Sequence, residues 1–225
     1  MRSAKLVVGA VSAALLTACS SDGGGSQGGN APGATDAAPS SVDTPSAKPP
    51  AFEDFPGEGV VFTDAGMKVG VKTKAIDATW MPEVLDTPAK PGHHYLVVWV
   101  AVTPALPDRG ADKVSVNREF YVRHKATSGP CGAEPAISGY CYYWGWPGSE
   151  LDALEDDKWR DHRWQSGEYV RTDIKRGETV IGQVGFEVAD TVELGELELC
   201  VPTVEALSDK SEFPCTPVKA PDGSR

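Results

Sequence analysis

Apolar and polar residues alternate with a period of two through much of residues 55–215, and that rhythm predicts strands rather than helices. Met67, Val69, Val71 and Thr73 alternate with Lys68, Gly70 and Lys72, which gives one apolar and one solvated face. His94–Val102 reads His-Tyr-Leu-Val-Val-Trp-Val-Ala-Val, nearly all apolar or aromatic, as a strand covered on both faces requires. Val114, Val116, Phe120 and Val122 lie in further strand-like runs, broken around Asn117-Arg118. The turn-forming Lys175-Arg-Gly-Glu178 leads into Thr179–Val188, which carries Ile181, Val184, Phe186 and Val188. A last run, Leu194–Val201, holds Leu197 and Leu199 in phase. Short strands between Pro, Gly and Asp turns, without a strand-helix-strand rhythm, predict an antiparallel β-sandwich.

Both ends lie outside this pattern. Ser20–Pro50 is Gly, Ser, Ala, Pro, Asp and Asn with hardly an aliphatic residue. Such a chain cannot bury enough apolar surface to offset its ordering entropy, so a flexible tether is expected. Its root-mean-square reach is roughly 30–35 Å. The polar residues 216–225 are expected to fray. Ahead of the tether, Arg2 and Lys5 precede a short apolar run, Leu6–Leu16, which has the layout of a secretory signal and falls short of a membrane span. The segment Leu16-Thr17-Ala18-Cys19 at its end resembles the lipobox of bacterial lipoproteins. That resemblance implies cleavage after residue 18, a diacylglyceryl thioether on Cys19 and acylation of the new amino terminus. The expected organisation is therefore a signal at 1–18, a lipidated cysteine and tether at 19–54, a folded domain at 55–215 and a tail at 216–225. The expected location is the outer face of the cell membrane.

Charge narrows the partners. The chain has 21 basic and 32 acidic residues. Loss of Arg2 and Lys5 with the signal leaves 19 against 32, a balance of −13. Nucleic acid and anionic polymers are disfavoured by that field, so membrane attachment must come from the lipid. Four cysteines remain after Cys19: Cys131, Cys141, Cys200 and Cys215. An even number in an exported chain predicts two disulfides, with neighbours in sequence, Cys131–Cys141 and Cys200–Cys215, the favoured pairing of three possible. Closing such short loops is worth ~3 kcal/mol each on the chain-entropy model. Their spacing lacks the CxxC pattern of zinc sites.

The order of a long apolar strand, Phe120-Tyr-Val122, Ile174–Val188 with its Arg176-Gly-Glu178 turn, and Glu196-Leu-Glu-Leu199 resembles a family. It is the immunoglobulin-like domain of Gram-positive surface lipoproteins, often termed immunoprotective extracellular proteins. The resemblance spans residues 60–202, implies an immunoglobulin-like sandwich outside the cytoplasm and carries no catalytic residues with it. Residues 126–166 depart from the family pattern as a long insertion holding four of the six tryptophans. Ser149 with Asp152, followed by Leu151, Leu154, Lys158 and His162 at helical spacing, predicts one short helix there. A sandwich whose strands lie elsewhere would fold without the insertion.

Tyr142, Trp144 and Trp146 are the candidate ligand-binding residues. With Tyr140 and Tyr143 they would form either a stacking platform for a sugar ring or partner, or a mini-core beneath a disulfide-stapled loop. Glu155, Asp156 and Asp157 lack EF-hand spacing and read as a solvated face. His93 and His94, adjacent on a strand, point to opposite faces, and His124 and His162 lie in separate segments, so no metal site is expected. No Gly-x-Ser-x-Gly elbow or phosphate-cradling glycine loop is present, and no cofactor is implied. The expected function is non-catalytic: a lipid-anchored envelope domain that binds another envelope or secreted protein. Binding of carbohydrate or wall fragments through the aromatic insertion is the alternative, and an envelope hydrolase stands behind both.

Overall fold

Two long neighbouring strands, each apolar on both faces, carry the architecture. The computed structural model describes residues 49–221 apart from 65, 117–118, 127–130, 133, 155–157 and 207. The expected signal, Cys19 and nearly all of the tether therefore lie outside the described residues. The strands are β1 (Val60–Phe62), β2 (Val71–Met81), β3 (Glu83–Val84), β4 (Thr87–Pro88), β5 (His93–Pro104) and β6 (Ala111–Val114). They continue as β7 (Tyr121–Lys125), β8 (Tyr140–Gly148), β9 (Thr172–Ile174), β10 (Val180–Ala189), β11 (Leu197–Cys200) and β12 (Cys215–Val218). Eight of them hydrogen-bond in the order β1-β2-β5-β10-β8-β7-β11-β12, antiparallel throughout, while β3–β4 and β6–β9 form separate small ribbons. The chain is an all-β antiparallel sandwich.

Strand β8 makes the fold close. Its first half, Tyr140–Trp144, pairs with β7, whereas Gly145 and Gly148 pair with β10 across an irregular register. One strand thus passes from the first sheet to the second, the usual way a sandwich turns its corner. The last strand ties the two sheets together: β12, paired with β11 in the sheet of β7, lies against β2 in the sheet of β10, Thr216 Oγ1 donates to the Glu58 carbonyl at 2.6 Å, and Thr63 N–H reaches the Pro202 carbonyl at 3.1 Å.

The two faces of β5 serve two cores. Leu96, Val98, Val100 and Val102 point between the sheets, where they join Val184, Phe186 and Val188 of β10, Val122 of β7 and Leu199 of β11. Tyr95, Val97, Trp99 and Ala101 point outward and are covered by Phe52 and Phe55, by Val84 of the β3–β4 ribbon and by Trp159 and Trp164. The predicted both-face burial of this strand is what the structure shows. Lys74 is buried beneath the amino-terminal segment, where its Nζ donates to the Phe52 and Phe55 carbonyls at 3.1 and 3.0 Å.

Several expectations need correction. The folded domain begins before residue 55, because the 3-10 turn Phe52–Asp54 buries Phe52 on the outer core. The tail does not fray as a whole: Thr216 and Val218 are buried in β12. The first predicted strand starts at Val71 rather than Met67 and continues to Met81. No helix occurs among the described residues of 149–165. Ser149 uses its Oγ to accept the Gln183 N–H at 2.8 Å, and Asp152 bridges Ile181, so pairing with β10 overrides local helix preference. The segment 126–166 is also not a dispensable insertion, since it contains β8. The two disulfides do form as expected, Cys131–Cys141 and Cys200–Cys215, the second joining opposed residues of β11 and β12.

Candidate functional site

Strand β8 reads Tyr-Cys-Tyr-Tyr-Trp-Gly-Trp-Pro-Gly, and its aromatics favour extended chain. Successive side chains face opposite ways. Cys141 and Tyr143 turn into the inner core, while Tyr142, Trp144 and Trp146 share the outward face. Trp144 is 49% exposed, so the row is not a closed mini-core. Tyr142 is held from behind: Arg123 donates to its hydroxyl at 3.4 Å, and Tyr121 meets it edge-on with ring centroids 6.3 Å apart. The Lys210 ammonium lies 5.2 Å from its ring centre, and Arg123 is itself bound to Glu198 at 2.7 Å. Trp146 is partly buried; its Nε1 is sealed from solvent and has no acceptor among the described residues.

All three predicted residues line one groove of about 440 Å³. Thr87 and Pro88 of β4, Lys90, His93, Tyr95 and Glu187 complete its lining. Cys131, Gly132 and Glu134 close one end, so the Cys131–Cys141 disulfide ties that end to the aromatic strand. The groove exists because β8 leaves β10 as it changes sheets. Gly185 is needed at the fork: a Cβ there would sit 2.8 Å from Val84 Cγ1 and 3.1 Å from Tyr95 Cδ1. The β3–β4 turn has Leu85 and Asp86 at φ 50° and 58°, the paired left-handed geometry of a tight hairpin. Leucine is a poor residue for that conformation, and packing of Leu85 on the outer core offsets the strain.

Lys90 fixes the polar part of the lining. Its ammonium is paired with the Glu187 carboxylate, and its backbone N–H donates to the other Glu187 oxygen at 2.8 Å. Burial raises the Glu187 carboxyl, but hydrogen bonds from the Lys90 side chain and backbone outweigh it, and the carboxyl sits below the usual glutamate value. Burial also raises the Tyr95 phenol, helped by the Glu187 charge. A depressed carboxyl stabilises the fold above its unfolded pKa and loses that contribution as pH falls through the folded value. Urea midpoints are therefore expected to show the same wild-type advantage over Glu187→Gln from pH 7 to 5, and a shrinking one below about 4. An advantage that is constant down to pH 2 would contradict the pairing.

The remaining candidates stay apart. His94 binds Asp190 at 2.6 Å, His162 binds Asp152 at 2.9 Å, His124 stacks on Tyr143, and only His93 reaches the groove. No three metal-ligating side chains converge among the described residues, and Glu155, Asp156 and Asp157 lie outside them. Sequence reasoning missed Lys90, His93, Glu134 and Glu187. Only Glu187 left a signal, as the one charge in a mostly apolar strand. The chain matches no family model, no curated protein and no solved structure.

Proposed function

We propose that this chain is a lipid-anchored, extracytoplasmic binding domain of the bacterial cell envelope, of the immunoglobulin-like kind found in Gram-positive surface lipoproteins. It acts by binding rather than by catalysis. The observation that carries the reading is the groove, whose lining combines an outward aromatic row with polar residues from distant segments. Polarity of the domain supports it. The described chain starts beside Pro104 and Thr179, at one end of the central strands, whereas the groove lies at the His93 and Ala189 end. Nine residue steps along β5 separate Tyr95 from Pro104, about 30 Å of extended chain. The partner is another envelope or secreted protein; the half-exposed ring of Trp144 favours a second reading, a wall saccharide.

Anchoring is tested by Cys19→Ala. The variant is expected to accumulate as unprocessed precursor or to leave the membrane fraction, with its β-domain still folded, because the anchor and the core are separated by the tether. A processed variant that remains with the membrane after fractionation would defeat lipid anchoring.

A further inference from the structure

We infer that the groove along β8 takes a neutral, β-linked pyranose chain. The inference rests on the second reading given above, in which this groove holds a wall saccharide, and names the class of that saccharide. Part of its lining is aromatic, with Tyr142, Trp144 and Trp146 on a common face of β8. The rest of the lining supplies Lys90, His93 and Glu187, with Glu134 at the end. A β-linked pyranose of gluco configuration carries its substituents equatorially. Its ring faces are therefore flat arrays of C–H bonds, and its hydroxyls project from the edges. The faces match aromatic rings and the edges match donors and acceptors, so such a chain satisfies both parts of the lining at once. The volume of about 440 Å³ lies within the range of ligand pockets and suits a short oligosaccharide.

Charge decides against the other occupants. Lys90 and Glu187 neutralise each other, leaving polar atoms for hydrogen bonding without a net charge from the pair. A polyanion would meet Glu134, with no net positive charge from the Lys90–Glu187 pair to offset it, within a mature chain of balance −13. An amphipathic helix needs a continuous apolar groove, which the polar residues interrupt. An α-linked glucan coils and cannot lay successive ring faces along a straight strand.

The test is titration of the full chain with N-acetylated chitotetraose (hereafter chitotetraose), a neutral β-1,4-linked tetramer, and with cellotetraose and maltotetraose, glucose tetramers that differ only in their β-1,4 and α-1,4 linkage, followed by tryptophan fluorescence and calorimetry. Chitotetraose and cellotetraose are expected to bind, maltotetraose roughly tenfold or more weakly, and Trp144→Ala to weaken chitotetraose by at least about tenfold. Trp144→Phe keeps a flat ring and should retain most of the affinity. Tyr169→Ala, which removes an aromatic ring 87% exposed but outside the groove, should change nothing. Equal affinity for cellotetraose and maltotetraose would overturn the β-linked assignment. Chitotetraose binding indifferent to Trp144→Ala would overturn the groove as its site. If chitotetraose does not bind at millimolar concentration while Trp144→Ala still abolishes capture of envelope material, the sugar falls and the groove reading survives. If neither depends on Trp144, both fall.

Discussion

Replacing residues 127–165 with a short Gly/Ser linker is expected to leave no cooperative fold. The segment contributes β8, which connects the two sheets by pairing with β7 on one side and β10 on the other. It also supplies Cys141, Tyr143 and Leu151 to the inner core and Leu154, Trp159 and Trp164 to the outer one. Removing a single large buried side chain costs about 2–5 kcal/mol, and a whole domain is stable by only about 5–15 kcal/mol. Several such losses together, with a strand's hydrogen bonds, exceed the total. Circular dichroism during heating should show no sigmoidal transition in the shortened chain. A cooperative β-sheet melt near that of the intact chain would mean that the two sheets hold together without β8.

That outcome reverses what the sequence suggests, and the reason lies in particular residues. Strands β5 and β10 are legible because nearly every position is apolar, so register does not matter to the reader. In β8 the burial alternates cleanly, but aromatics occupy both faces and hide the period. Tyr143 points inward and Tyr142 outward with the same side chain. Gly145, Pro147 and Gly148 then read as a loop, although they let the strand pass the fork against Gly185. Ser149 has the sequence of a helix cap, yet its hydroxyl serves the backbone of β10. Strand β12 is short, carries Pro217 and is stabilised by the disulfide and by Glu58, none of which leaves a periodic trace. The aromatic part of the groove could be read because it is local to one strand. The polar part could not, because Lys90 and Glu187 are 97 residues apart and meet only through the pairing of β5 with β10.

Trp144→Ala is expected to have the second large effect, this time on binding with the fold intact. The ring is half exposed, so its loss leaves no large cavity in either core. A central aromatic that anchors an interface is typically worth 2 kcal/mol or more, about a thirtyfold loss of affinity. The far aromatic Tyr169 provides the matched control, since it is more exposed and lines no part of the groove. The measurement that bears most directly on the central claim is therefore capture of solubilised envelope material by the full chain, by Trp144→Ala and by Tyr169→Ala, each first shown to melt like the parent. The groove account predicts that Trp144→Ala loses most of the retained material while Tyr169→Ala keeps it. Equal capture by the parent and Trp144→Ala would contradict the claim that recognition takes place along β8.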